Sequence, residues 1–281
     1  MNKFITMLAL PYTEQLGSQM WHFAALYNIS KRSGHRIVFF EEHCNIGRGL
    51  LLDRHFTNLP FERISVKDVE ADNIYYTYPL KLHFAVETAV FRLDPNYNYN
   101  FKGFFLCYKY WWPVREEIRR MYTFSPDVLE RAYDVVQTQR RNQCNLVSVH
   151  IRRADFVDPN GHSVNLTRDY YNAAFNEFGD SNVQYFVFSD DIEWCRAAFA
   201  DKKNVSFAEG NDTVVDMCAM SLCDHNIIAN SSFGFWGAFF NNNPTKKMIA
   251  PARVMSSDSI IPGQNYAWVP DEFNLLDVGN D

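Results

Sequence analysis

The side chains best suited to chemistry stand at the ends of two apolar runs. The first run, Leu146-Val147-Ser148-Val149, leads straight into His150-Ile151-Arg152-Arg153-Ala154-Asp155-Phe156, with no helix-starting residue between them. It reads as a β-strand that delivers an imidazole, two guanidiniums and a carboxylate to its carboxyl end. Side chains alternate along a strand, so His150 and Arg152 share one face while Ile151 and Arg153 share the other. Open α/β sheets bind ligands outside the carboxyl ends of their strands, and two guanidiniums there suit a diphosphate. The plainer reading is an Arg pair neutralised by Asp155. The second run, Asn226-Ile227-Ile228-Ala229, ends in Asn230-Ser231-Ser232 and continues as a helix-like segment over 233–240. Small hydrogen-bonding residues cap a helix there, and a helix N-terminus attracts phosphate. Alone these residues read equally well as a plain cap; beside the Arg-bearing strand end they read as the second half of a diphosphate clamp.

The elements around both stretches alternate. A helix from 166 to about 178 is followed by a strand over 183–188 that ends in Ser189-Asp190-Asp191, where a helix through Trp194 and Phe199 begins. A short strand at 205–207 and a helix from 213 to about 223 complete the pattern, which is the signature of a parallel, doubly wound sheet. Asp190-Asp191 has the look of a metal site, but a helix N-cap explains the pair better. In the first half, a strand over 4–10, a helix from Ser18 as N-cap to the stop at Gly34, and a strand over 35–40 make a β-α-β unit. Its turn, Gly17-Ser18-Gln19, presents helix N–H groups to a ligand. Residues 44–100 are harder to organise, with apolar pieces at 74–78 and 84–90. Residues 101–113 read as a buried strand and loop, followed by helices over 114–122 and 126–140, the second capped by Ser125. A polar linker at 138–143 then divides the chain into domains 1–141 and 142–281, two Rossmann-like halves facing each other across a cleft.

Composition narrows the partners. A length of 281 residues suits two domains with a core each, and 47% hydrophobic with 21% charged residues is ordinary for a soluble protein. The formal net charge of −6 argues against nucleic acid or an anionic membrane as the main partner, so any anion site must be local. Aromatic content of 16% suits a core and also a site that stacks on sugar rings. The apolar opening stops at Pro11 without a cleavage pattern, which reads as a buried first strand rather than a signal peptide. No window approaches a membrane span. The six Cys contain no C-x-x-C pair, so buried thiols are expected rather than a zinc site.

Together His150-Ile151-Arg152-Arg153-Ala154-Asp155, Phe188-Ser189-Asp190-Asp191-Ile192-Glu193-Trp194 and residues 220–233, which end in Asn230-Ser231-Ser232-Phe233, resemble the α-1,2-fucosyltransferases of glycosyltransferase family 11. The order and spacing match over most of 142–250. The first half resembles the family less faithfully. Glu14-Gln15-Leu16-Gly17-Ser18-Gln19 stands where a Gly-Gly-Leu-Gly-Asn-Gln turn is usual, and Leu106-Cys107-Tyr108-Lys109-Tyr110 where Gln-Ser-Glu-Lys-Tyr is usual. The resemblance implies an α/β fold of GT-B type, with the donor site in the C-terminal domain. It further implies inverting transfer of L-fucose from GDP-fucose to the 2-hydroxyl of a terminal galactose in a glycan.

No Asp-x-Asp occurs, so the leaving group's charge is expected to fall on Arg152, Arg153, Ser231 and Ser232, with no metal and no cofactor. By the same resemblance His150 and Phe233 lie in the donor site and Asp216 accepts from guanine N1–H and the exocyclic amine, the plainer reading of Asp216 being a helix-surface acid. Asp155, Asp158 and His162, just past the Arg pair, are alternative bases for the acceptor hydroxyl. Gly17, Ser18, Gln19, Lys109 and Tyr110 are expected on the acceptor side. A cytoplasmic enzyme is expected, meeting a lipid-linked precursor of a surface glycan peripherally at the inner membrane.

Overall fold

The computed structural model describes residues 3–69, 75–82, 84–140, 144–156, 163–179, 182–255 and 268–277. Asp158 and His162, two of the expected bases, lie outside them, and of Asp155 only the backbone is described, in the single turn Ala154–Phe156. The chain forms two units, Met1–Thr123 with Gly263–Trp268, and Phe124–Pro262 with Val269–Asp281.

The first unit is built on five parallel strands: β1 (Phe4–Thr6), β2 (Arg36–Phe40), β3 (Glu62–Ile64), β4 (Tyr75–Pro79) and β5 (Asn98–Lys102), in the order β3-β2-β1-β5-β4. β1 is shorter than the expected strand over 4–10, because Pro11 fits the first turn of a four-residue helix, Leu10–Thr13. The helix Leu16–Ser33 crosses from β1 to β2 and buries Met20, Phe23, Ala24 and Ile29. It stops at Gly34, whose φ of 76° lets its N–H reach the Ser30 carbonyl at 2.8 Å. The aromatic excess fills this core: Trp21 meets Trp111 edge-on at 5.5 Å, and Tyr122 lies 4.8 Å from Phe56 and 6.4 Å from Phe23.

The second unit carries six parallel strands: β6 (Asn145–Ile151), β7 (Val183–Ser189), β8 (Val205–Phe207), β9 (His225–Ile227), β10 (Met248–Pro251) and β11 (Asn274–Leu276). Their order, β11-β10-β9-β6-β7-β8, runs outward from β6 in both directions, so the winding reverses between β6 and β9. Doubly wound sheets open a crevice at that reversal, outside the carboxyl ends of the two strands. Residues 146–151 of β6 are buried on both faces, as a central parallel strand requires. β10 and β11, which no motif marks, extend the sheet beyond β9.

The division of the chain falls between Thr123 and Phe124, ahead of the expected boundary at 141/142. The helix Pro126–Gln139, capped by Ser125 Oγ on the Val128 N–H, packs on the helix Thr213–Ser221 of the second unit. Arg131 pairs with Asp212 at 2.6 Å. At its far end Arg140 bonds Asp224 at 2.9 Å and the Leu222 carbonyl at 3.0 Å, and Asp224 in turn accepts the Leu146 N–H at 2.7 Å. The residues expected to act as a linker therefore begin with a clasp onto the roots of β6 and β9.

A buried amide chain keeps those two strands in register. Asn226 Nδ2 donates to Ser148 Oγ at 2.7 Å and to the Met220 carbonyl at 2.8 Å, while its Oδ1 accepts from Asn241 Nδ2 at 2.8 Å. Asn226 and Asn241 are both fully enclosed, and each such bond contributes about 0.5–1.5 kcal/mol only because every partner is present.

Candidate active site

β6 and β7 end in register, with Ile151 opposite Ser189. The next residues along each strand are therefore neighbours, Arg152 beside Asp190. Arg152 Nη1 lies 2.7 Å from Asp190 Oδ2, and Asp190 Oδ1 accepts the Arg153 N–H at 2.9 Å, so one carboxylate fixes both the side chain and the chain direction at the strand end. Arg153 turns to the opposite face. Its Nε bonds Asp191 Oδ2 at 3.2 Å and its guanidinium lies 4.0 Å over the ring of Trp194, which packs against the hydrophobic core of this unit. Asp191 also caps the helix Ile192–Ala198, its Oδ1 accepting the Trp194 N–H at 3.1 Å. The acidic pair is thus an N-cap and two ion pairs, one to each arginine. Arg153, expected in the clamp, is instead bound to the helix behind the sheet.

On the other side of β6, His150 is buried beneath the helix Ser232–Phe239. The Phe233 ring lies 5.5 Å away, and a Cβ added at Gly234 would sit 2.7 Å from His150 Nδ1 and 2.9 Å from its Cγ. Only glycine permits this approach of helix to imidazole. His150 Nδ1 is enclosed without a partner. Burial first and Arg152 second push its pKa down to about 3, so the ring is neutral near pH 7.

Ser231 caps this helix, its Oγ accepting the Phe233 N–H at 3.3 Å, and half-buried Ser232 opens the first turn. Because β6 and β9 are paired neighbours, the Arg152 strand end and this helix N-terminus stand at the sheet reversal. Buried Asn230 is used differently. Its Nδ2 donates to the carbonyls of Val164 at 3.0 Å and Val254 at 3.1 Å, while its Oδ1 has no partner. Asp216, in the first turn of Thr213–Ser221, is half-buried and accepts from Asn211 Nδ2 at 2.9 Å. Burial raises its pKa, Asn211 opposes that, and Asp212 adds to it, so Asp216 is not a freely solvated surface acid.

The residues expected on the acceptor side divide. The helix starts at Leu16 with Gln15 as N-cap and no side-chain cap, so Ser18 sits inside its first turn rather than capping it. Gly17 is buried and Ser18 half-buried there. Gln19 is fully buried: Nε2 donates to the carbonyls of Glu14 at 3.0 Å and Gly49 at 2.8 Å, and Oε1 accepts the Leu51 N–H at 2.8 Å. Its amide holds the loop at 49–51 rather than facing a ligand. Tyr110 is likewise a core residue, with no exposure, its hydroxyl accepting the Glu87 N–H at 2.9 Å. Lys109 is exposed, 5.9 Å from the Tyr108 ring.

Two residues with a direct bearing on the site carried signals that motif reading passed over. Asp190 follows a strand that pairs in parallel with β6, so strand register alone places an acid beside Arg152. Gly234 is a glycine inside a helix, which marks close approach of another group. Among the described residues no group of three or more His, Cys, Asp and Glu could hold a metal ion, and no helix is long and apolar enough to cross a membrane.

Comparison with known proteins places these features. The sequence model of Glycosyl transferase family 11 matches residues 7–265. An Alpha-1,2-colitosyltransferase of Escherichia coli is 37% identical over 164 residues, 54% of this chain and 54% of that one, so the match spans about half of that relative's length. The O-antigen biosynthesis glycosyltransferase WbnK of Escherichia coli is 24% identical over 293 residues, covering 90% of this chain and 97% of the relative. Galactoside 2-alpha-L-fucosyltransferase Sec1 of Mus musculus is 26% identical over 248 residues, 82% of this chain and 63% of the relative. Among solved structures, NodZ alpha-1,6-fucosyltransferase soaked with GDP-fucose superposes with a TM-score of 0.55 at 13% identity, over 85% of this chain and 93% of the other. POFUT1 in complex with GDP-fucose gives 0.51 at 11% identity, over 89% and 98%. At such identities the likeness is one of fold, two parallel-sheet α/β domains of GT-B type. A family model that matches residues 7–265 of 281 decides the affiliation: the chain belongs to glycosyl transferase family 11.

Proposed function

We propose that this glycosyltransferase moves L-fucose from GDP-fucose to the 2-hydroxyl of a terminal galactose, with inversion and without a metal. The observation that carries the reading is that the strand end bearing Arg152 and the N-terminus of Ser232–Phe239 both stand at the sheet reversal. In this reading the acceptor oxygen attacks the anomeric carbon as its bond to the diphosphate breaks. GDP leaves with the electron pair, and Arg152, the Ser231 and Ser232 hydroxyls and the helix N–H groups take up the developing charge. A charge-assisted bond contributes about 1.5–3 kcal/mol, enough for one guanidinium to change the rate ten- to a hundredfold. Neutral His150 with Phe233 lines the donor side, and Asp216 reads the guanine. The acceptor proton goes to Asp155, Asp158 or His162.

Relatives named for α-1,2 transfer support the linkage, and one named for galactosides supports the acceptor. The 37% identity to a colitosyltransferase favours a second donor, the GDP-activated 3-deoxy analogue of fucose. A site that hydrogen-bonds the sugar 3-hydroxyl rejects the deoxy donor strongly, whereas an apolar pocket there does not. The test is to incubate the enzyme with each donor and with lactose, type 1 and type 2 disaccharides, then determine product linkage. An α-1,2 fucosylgalactose product is expected; efficient transfer only from GDP-colitose would replace the donor. Transfer to peptide alone would overturn the acceptor. Binding of GDP-fucose without turnover on any acceptor would leave a nucleotide-sugar-binding protein.

A further inference from the structure

The net charge of −6 conceals two units of opposite sign. Met1–Thr123 carries 15 Lys and Arg against 12 Asp and Glu, a net of +3, whereas residues 124–281 carry 12 against 21, a net of −9. The positive charge of the first unit is concentrated where the C-terminal turn of Leu16–Ser33 meets the helix Arg115–Met121. Lys31 and Arg32 end the first helix, Lys109 precedes the second, and Arg115, Arg119 and Arg120 lie on it. Glu116 and Glu117 are the acids of that helix, which leaves the cluster at +4, more than the net charge of the whole unit.

Contacts join most of these residues, while Arg32, next to Lys31 in the chain, lies 4.4 Å over the Phe91 ring. Lys31 reaches Glu117 at 2.7 Å, Glu117 also accepts the Tyr27 hydroxyl at 2.5 Å, and Arg120 is close enough to act on both Tyr27 and Glu117. Glu117 is thus engaged inside the cluster, while Lys31, Arg32, Lys109 and Arg120 are exposed. Aromatic rings are interleaved with the charges. Arg115 lies 5.0 Å over Trp112, Trp112 lies 5.4 Å from Tyr108, and Lys109 sits beside Tyr108; Phe104, earlier in the same segment, is 41% exposed. Cations with long apolar stems beside a half-buried Trp are what the boundary between anionic headgroups and acyl chains accommodates. Duplex DNA, its bases stacked inside, would draw on the charges but not on an apolar edge.

We propose that this basic, aromatic-edged face of the first unit docks on an anionic phospholipid bilayer. Each Lys or Arg held near such a surface strengthens attachment, the attraction fades within a Debye length, and a protein of overall negative charge is otherwise repelled. Docking there would bring the enzyme to membrane-borne acceptors. The surface stands whatever the donor, so its test can fail without the transfer reaction failing.

The test is co-sedimentation of the full chain with vesicles of phosphatidylcholine alone and with about one-third phosphatidylglycerol. The protein is expected to sediment with the anionic vesicles at low salt, to stay in solution with the neutral ones, and to be released at about 0.5 M salt. Arg32→Gln/Arg120→Gln leaves a polar side chain on a shorter stem and removes two charges, which should lower partitioning about 30-fold. Thermal midpoint and transfer to a soluble disaccharide should be unchanged. Lys202→Gln/Lys203→Gln, the same loss of charge in the second unit, should leave partitioning as it was. Wild type remaining in solution with anionic vesicles, or equal losses in the two double variants, overturns the proposal. Capture by duplex DNA but not by vesicles would assign the face to a nucleic acid and overturn it equally.

Discussion

Acid should loosen the second unit through His150, and the structure sets the size of the effect. The imidazole is 5% exposed and wedged against Gly234 and Phe233, and its pKa falls to about 3 against about 6.5 in an unfolded chain. Between those values the unfolded chain binds a proton that the folded chain refuses. Stability from this residue is therefore complete above pH 6.5 and is lost as the pH falls towards 3. At about 1.4 kcal/mol per pH unit inside the window, going from pH 7 to pH 5 removes roughly 2 kcal/mol. Burial also depresses the pKa of half-buried His225, and it raises that of Asp216, which works in the opposite sense at lower pH. The measurement is therefore differential. Urea unfolding of wild type and His150→Gln, followed by tryptophan fluorescence at pH 7, 6 and 5, should show wild type losing about 2 kcal/mol more than the variant. The variant shifts the absolute stability, but the pH slope is what reports the imidazole. Parallel slopes would refute the account of a neutral, enclosed ring.

Gly234→Ala places a methyl against the root of the His150 ring, which cannot swing aside as a chain end could. Overpacking of about 1–3 kcal/mol should exceed the roughly 1 kcal/mol of helix propensity gained, giving a lower melting midpoint and weaker GDP binding by calorimetry. Arg152→Ala should lower transfer ten- to a hundredfold and weaken GDP binding, with circular dichroism unchanged; a variant that binds GDP like wild type would remove Arg152 from the clamp. Excess EDTA should leave the transfer rate unchanged, and inhibition reversed by magnesium would sink the metal-free reading. Asn226→Ala should destabilise by about 1–3 kcal/mol, because Ser148 and Asn241 each lose a buried partner, and a midpoint within a degree of wild type would show that the amide chain holds nothing.

The second unit was legible because its strands are short apolar runs that end in polar residues. β6, β7, β8 and β9 and the helices between them lie within a few residues of where periodicity and caps put them. β10 and β11 were not legible: Met248–Pro251 and Asn274–Leu276 are too short for alternation to register, and only pairing with the sheet makes them strands. Strand alternation put Arg152 and Arg153 on opposite faces, and the structure keeps them there. What it could not say is that Trp194 and Asp191 would hold Arg153 behind the sheet, since that depends on where the next helix lands. Gln19 and Tyr110 show a related blindness. A polar side chain in a motif looks the same whether it faces a ligand or satisfies buried carbonyls, and only the surrounding loop decides. The domain boundary moved for a similar reason, as the clasp of Arg140 on Asp224 joins residues far apart in sequence.

The two carbonyls held by Asn230 belong to residues far apart in the chain, Val164 and Val254. Their chain neighbours Ser163 and Met255 form an antiparallel bridge beside them. One amide and one bridge hold the two places together. Val164 and Val254 are thus one junction, and a change at Asn230 is felt at both. Any redesign of the chain around Ser163–Val164 or Val254–Met255 should therefore keep Asn230 in place.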